Sequence, residues 1–253
     1  MAKKIHPEFR AIPYRWRLKY GYYQFFDHFL GRSSFFKLTA KSRRRFYKKL
    51  GEYLKNGGEG AKYSFLKCLK EKFEGDEYQK VVCAYDFAVN IDYDHVGLSS
   101  DAYLLHPLRV AEMVMGLCAS VDIDSVVIAL LHNVLEVGSV ELEELKDKFG
   151  VQVSDSIRLL TVDRKQQWDQ KYKEGYYRRI NDGYKGMRIV KVIDKLDNIF
   201  MLGLNPDSYI RSTYLEEINR YIIPIAESEL PNLVDYIKKL SKDAKQVGYF
   251  SNV

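Results

Sequence analysis

The sequence predicts an all-α protein, and three observations carry that prediction. Apolar residues recur at three- and four-residue spacing along most of the 253-residue chain. Strand-like alternation is nearly absent, and no internal repeat is detectable. Helix-capping and helix-stopping residues fall between the periodic runs, as they should if each run is one amphipathic helix.

The elements follow in order. Tyr14 to Leu30 is an unusually aromatic helical piece, interrupted by Gly31-Arg32-Ser33-Ser34. Lys41 to Leu54 follows, with Thr39 or Ser42 as N-cap and Phe46, Leu50 and Leu54 at i, i+4, i+8. Asn56-Gly57-Gly58-Glu59-Gly60 ends that helix and is the clearest linker in the chain. Helices are expected over Lys62 to Phe73 and Tyr78 to Val89, and the polar stretch Asp92 to Asp101 reads as a loop. Pro107 is placed at the first helical position of a helix through Leu117, where its missing N–H costs nothing. Asp122 or Asp124 caps a helix running to Glu136, and Leu142 to Phe149 is short, with Gly150 as its stop. Val153 to Leu160, a hydrophilic connection, and Tyr172 to Asn181 come next. Met187 to Leu202, Tyr209 to Glu227 and Leu233 to Leu240 complete the set.

Bulk properties bound the function. The net charge of +6 hides an asymmetry: residues 1–80 hold 20 Lys and Arg against 8 Asp and Glu, leaving the remainder at −6. Eighteen of the chain's aromatic residues also fall in those first 80. This divides the chain into a basic, aromatic-rich helical extension, residues 1–76, and a mildly acidic domain, residues 77–253. The run Lys41 to Lys49 offers the extension a nucleic acid or an acidic protein as partner, beside the plainer role of a solvated helix face. Three cysteines without CxxC spacing give neither a disulfide framework nor a zinc knuckle. With no secretory signal and no apolar run long enough to span a bilayer, a cytoplasmic protein without a membrane partner is expected. Oligomeric state has no signature.

The chemistry concentrates at a few positions. His106 precedes Pro107; His132-Asn133 follows the apolar run Val126 to Leu131; Asp194 lies inside Arg188 to Asn198, flanked by residues expected to be buried. A histidine or aspartate inside an apolar helix costs several kcal/mol unless paired or coordinated. Imidazole with carboxylate suits a divalent transition metal that keeps positions open for water. Glu136 lies four residues after His132, and Asn198 four after Asp194, so each pair is expected to share a helix face. Asp197 and Lys195 read as the solvated side of their helix.

His106…His132-Asn133…Asp194 resembles the H…HD…D signature of HD-type phosphohydrolases. Tyr103 to Ala111, Ala129 to Glu136 and Val190 to Asn198 are similar, more narrowly, to the hydrolase domain of alarmone (ppGpp) synthetase/hydrolases. Leu142-Glu143-Glu144-Leu145 with Phe149-Gly150, and Tyr221 to Ala226, are weaker likenesses. The similarity covers about residues 84–230, and a small, hydrolase-only member is the expected analogue. The resemblance implies an HD-domain helical bundle and a nucleotide substrate or ligand. It also implies a manganese ion, Mn(II), held by His106, His132, Asp194 and the position of Asn133. Glu136 matches a catalytic glutamate, Asn198 an asparagine near the nucleotide, and Tyr103 opens the first motif on the substrate side.

Three positions depart from the family pattern. Asn133 stands for an aspartate ligand, Val137 for the acid paired with Glu136, and Gly97-Leu98 for a basic pair. Three functions therefore stay open: a metal-dependent nucleotide phosphohydrolase, a catalytically degenerate HD domain acting as nucleotide sensor or interaction module, and a nucleic-acid binder led by the basic extension.

Overall fold

The computed structural model describes residues 59–94, 100–118, 120–202 and 208–245. The helices expected over Tyr14 to Leu30 and Lys41 to Leu54, the basic run Lys41 to Lys49 and Gly97-Leu98 lie outside the described residues.

The described residues form helices joined by short turns, with no strand among them. In chain order they are α1 (Glu59–Lys72), α2 (Gly75–Val89), α3 (Ser100–Leu117), α4 (Ile123–Leu131), α5 (Val134–Val137), α6 (Leu142–Phe149), α7 (Val151–Leu160), α8 (Gln170–Asn181), α9 (Lys185–Leu202), α10 (Ser208–Glu217), α11 (Ile223–Glu229) and α12 (Val234–Lys245). A π-helical turn, Ile218–Ile222, joins α10 to α11. No described helix is long and apolar enough to cross a membrane.

The bundle is organised around α4. Val126 to Leu131 are essentially inaccessible, as a helix apolar on every side must be. Helices α2, α3, α7 and α9 pack around it, and α3 and α9 also pack against each other. The helices carrying His106 and Asp194 are thus brought against the one that ends at His132. Asp122 caps α4: its Oδ1 accepts the Ser125 N–H at 2.8 Å and its Oδ2 the Ser125 hydroxyl at 2.7 Å. Gly150 closes α6 at φ +88°, a left-handed-side conformation that a side chain would strain. Phe65, Leu69 and Phe73 enter the same core, so the chain belongs to the bundle from α1 onward.

Three local expectations are corrected. Pro107 does not open a helix; it sits inside α3, which starts at Ser100. The lost rung is tolerated because Leu104, Leu105, Leu108, Val110 and Ala111 anchor α3 on both sides of it. The helix expected to run to Glu136 ends at Leu131 and resumes as α5. Asn133 sits near φ −111°, ψ 0°, the bridge region between helix and strand. His132 Nδ1 lies 2.8 Å from the Ala129 carbonyl, the oxygen that a straight helix would offer to the N–H of residue 133. Finally, the helix expected over Tyr209 to Glu227 is broken by the π turn, because Pro224 has no N–H for a regular ladder.

Candidate functional site

His106 projects from the middle of α3, His132 from the C-terminal end of α4, and Asp194 from the middle of α9. Their donor atoms converge: His106 Nε2 is 3.2 Å from His132 Nε2 and 3.3 Å from Asp194 Oδ1, and His132 Nε2 is 3.7 Å from that oxygen. All three lie within 4.8 Å of one another.

The other ring nitrogens decide what these atoms are. His132 Nδ1 faces a carbonyl, which only accepts, so it carries the hydrogen and donates it to Ala129. His106 Nδ1 lies 2.7 Å from Asp197 Oδ2 and is held as a donor in the same way. With neutral imidazoles, both Nε2 lone pairs and the Asp194 carboxylate then point at one place. Three converging acceptors repel unless a proton or a cation lies between them, and their chemistry suits a divalent transition metal.

Asp194 is engaged on both oxygens. Oδ1 accepts from Asn198 Nδ2 at 2.8 Å, and Oδ2 meets Lys191 Nζ at 3.1 Å. Burial alone would raise its carboxyl; the Lys191 ammonium, with His106 and His132, outweighs that and holds it well below the usual carboxylate range. For His106, burial disfavours the charged ring, but the hydrogen bonds and charges of Asp194 and Asp197 raise it above the ordinary imidazole value.

The cluster borders a cavity of about 310 Å³ that Tyr103, Asn133, Glu136 and Asn198 also line. Tyr103 is buried in α3, and its hydroxyl and the Asn133 side chain are hydrogen-bonded. Burial, with the charges of Glu136 and Asp194, raises that phenol and keeps it protonated. Glu136 does not share a helix face with His132, because the turn at His132–Asn133 intervenes. Its Oε1 instead accepts from Arg164 Nε at 2.7 Å, while Oε2 has only a long contact, 3.4 Å, from the Val162 N–H. Val137 is buried in the core, where its carbonyl accepts the Asp94 N–H. Asn198 and Asp194, by contrast, do meet across one turn of α9 as their spacing predicts.

Asp197 and Lys195 are not on a solvated face. Asp197 is 1% exposed and receives Arg109 Nε and Nη2, each at 2.9 Å, besides His106. Lys195 Nζ lies 2.8 Å from Glu217 and 4.5 Å from the centre of the Tyr214 ring. Helix α9 is covered by neighbours on most sides, so polar positions that read as surface are internal. Arg109, Lys191, Lys173 and Glu217 were missed for the same reason. Only spacing could have flagged the first two: Arg109 lies three residues after His106, and Lys191 three before Asp194. Lys173 and Glu217 meet across distant sequence, and no local pattern marks them.

No family model matches the chain. Curated relatives do match it, among them two pyrophosphohydrolases. Residues of this chain are 28% identical over 123 positions to the guanosine-3′,5′-bis(diphosphate) 3′-pyrophosphohydrolase of Aquifex aeolicus, covering 48% of this chain and 17% of that protein. The protein of the same name from Borreliella burgdorferi is 26% identical over 211 positions, covering 77% and 31%. The chain resembles the ppGpp 3′-pyrophosphohydrolases. It spans less than a third of the length of these relatives. The solved structure of a metazoan SpoT ortholog, a protein that hydrolyses ppGpp and plays a role in starvation responses, superposes with a TM-score of 0.54 at 19% identity, over 67% of this chain and 96% of that one. The fold is therefore the HD-type helical domain of the ppGpp hydrolases.

Proposed function

We propose that this chain is a metal-dependent phosphohydrolase that acts on a nucleotide, as its ppGpp-hydrolysing relatives are named to do. The observation that carries the reading is the convergence of His106 Nε2, His132 Nε2 and Asp194 Oδ1 at the wall of a cavity lined by cations and aromatic rings. A divalent cation there, Mn(II) in our reading, supplies Lewis-acid polarisation of a phosphoryl oxygen and of water. The protein's part is positioning. Asp197 and the Ala129 carbonyl hold the two imidazoles in the tautomer that presents Nε2. Asn133, the fourth expected ligand position, offers a neutral oxygen in the same cavity. Glu136 Oε2, scarcely engaged by the protein, is the group we assign to take a proton from the attacking water. Asn198 and Tyr103 fix the neighbouring polar wall against the nucleotide.

Incubation of the purified protein with manganese and a panel of nucleotides, ppGpp included, tests this directly. Release of phosphate or pyrophosphate is expected, and the absence of any release would remove the enzyme reading.

A second reading, a catalytically degenerate domain that binds a nucleotide without cleaving it, draws on the engagement of Asn133 by Tyr103 and of Glu136 by Arg164. Stoichiometric manganese or iron in the purified protein argues against it. Activity appearing only in Asn133→Asp supports it.

A further inference from the structure

Glu217 stands at the end of α10, immediately before the π turn, and serves two ammonium groups at once. Its Oε2 lies 3.0 Å from Lys173 Nζ; its Oε1 lies 2.8 Å from Lys195 Nζ and accepts the Tyr177 hydroxyl at 2.7 Å. Both lysine side chains are about nine-tenths buried, and all three charged groups line the cavity onto which His106 and Asp194 of the cluster open.

The charges do not balance there. The other cations of the wall each have a carboxylate of their own: Arg109 has Asp197, Arg164 has Glu136 and Lys191 has Asp194. Lys173 and Lys195 share one. Each ammonium has three N–H donors, and its partners among the described residues are one oxygen of Glu217 and one ring face, Trp168 for Lys173 and Tyr214 for Lys195. A surplus buried cation costs stability unless an anion arrives to neutralise it. Lys195 follows Asp194 on the same face of α9 as Lys191 and Asn198, which places this surplus beside the metal-type cluster, not within it.

We propose that Lys173 and Lys195, tethered by Glu217, form a separate anion subsite that takes a phosphate or pyrophosphate group of the cavity's ligand. The preferred ligand then carries two anionic groups, one for the histidine–aspartate cluster and one for the lysines. Only that last step rests on the phosphohydrolase reading; the anion binding itself does not.

The test is calorimetric titration of the full chain with inorganic pyrophosphate in the presence of EDTA, which separates it from metal-dependent turnover. Pyrophosphate binds the unaltered protein, and Lys195→Met weakens it by about tenfold or more, the loss expected for one charge-assisted hydrogen bond. Glu217→Gln removes the competing anion and tightens binding, a change of sign that a merely structural role for Glu217 would not produce. Lys195→Arg retains affinity. The combined Lys173→Met, Lys195→Met and Glu217→Gln protein leaves no unpaired charge in the cluster, so it folds, as a thermal melt will report, and it loses the binding. No pyrophosphate binding in EDTA, or affinity that survives the triple change, overturns the proposal. A protein that binds pyrophosphate in EDTA but releases nothing from nucleotides with manganese would instead sink the hydrolase reading and leave the subsite standing.

Discussion

Asp197 and His106 are joined by a 2.7 Å hydrogen bond across 91 residues of sequence, and Arg109 clamps the same carboxylate through Nε and Nη2. The aspartate thereby sets which imidazole nitrogen faces Asp194 and His132. Asp197→Asn should weaken manganese binding by about ten- to a hundredfold, the usual cost of losing a group that orients a metal-ligating histidine. It also leaves the Arg109 guanidinium without its counter-charge, at a cost of about 3–5 kcal/mol in folding stability. Metal titration and a urea melt read the two effects separately; unchanged metal affinity would show that His106 needs no such orientation.

In the proposed reading Asn133 stands at a fourth ligand position, where an amide replaces a charged carboxylate. Asn133→Asp adds a carboxylate, and it should raise both manganese affinity and nucleotide turnover. Electron paramagnetic resonance of bound manganese, alongside release of phosphate or pyrophosphate, is the measurement. An unaltered spectrum and rate would mean that residue 133 does not reach the ion.

Glu136→Gln keeps the shape and removes the proposed base. Turnover should fall by about 10²- to 10⁴-fold with metal affinity unchanged. Equal loss of both would place Glu136 among the structural supports of the cluster.

Glu112 is a buried carboxyl whose Oε2 has no hydrogen-bond partner among the described residues, and burial pushes it from the ordinary 4.5 up to about 9. Between those values the folded protein keeps a proton that the unfolded chain has released. Stability therefore falls as pH rises through the window, by about 3 kcal/mol at pH 7 relative to acid conditions. Glu112→Gln should flatten that slope in urea midpoints taken at pH 5 and pH 8. Parallel slopes for the two proteins would assign the pH dependence elsewhere.

Leu131 ends the central helix beside His132 and is fully buried. Leu131→Ala should cost about 2–5 kcal/mol, and metal affinity should drop with it if the end of α4 carries the proposed ligand His132. A destabilised protein with intact metal binding would uncouple the core from the site.

Much of the fold was legible in the sequence. Leu142 to Phe149 with its glycine stop matches α6 residue for residue, and most other helices differ by a few residues at their ends. Errors arose where side chains compete with the backbone ladder. His132 hydrogen-bonds the Ala129 carbonyl and Asn133 leaves helical geometry, so the step from His132 to Glu136 is not one helical turn. Pro107 misled in the opposite direction, since packing on both sides carries α3 through it. Among site residues, His106, His132 and Asp194 stood out because each interrupts an apolar run. Asp197 and Lys195 did not, because a charge in a mixed helix looks the same whether solvent or a partner neutralises it.

The sequence by itself determined the helical class and the central apolar helix, because apolar periodicity encodes which face of a local element avoids water. It also marked the histidines and the aspartate whose burial demands a partner. Only the tertiary structure decided what those partners are: Asp197 behind His106, Arg109 behind Asp197, and one glutamate between two lysines. Pairing of buried charges is a property of contacts between distant segments, and local spacing carries no record of it.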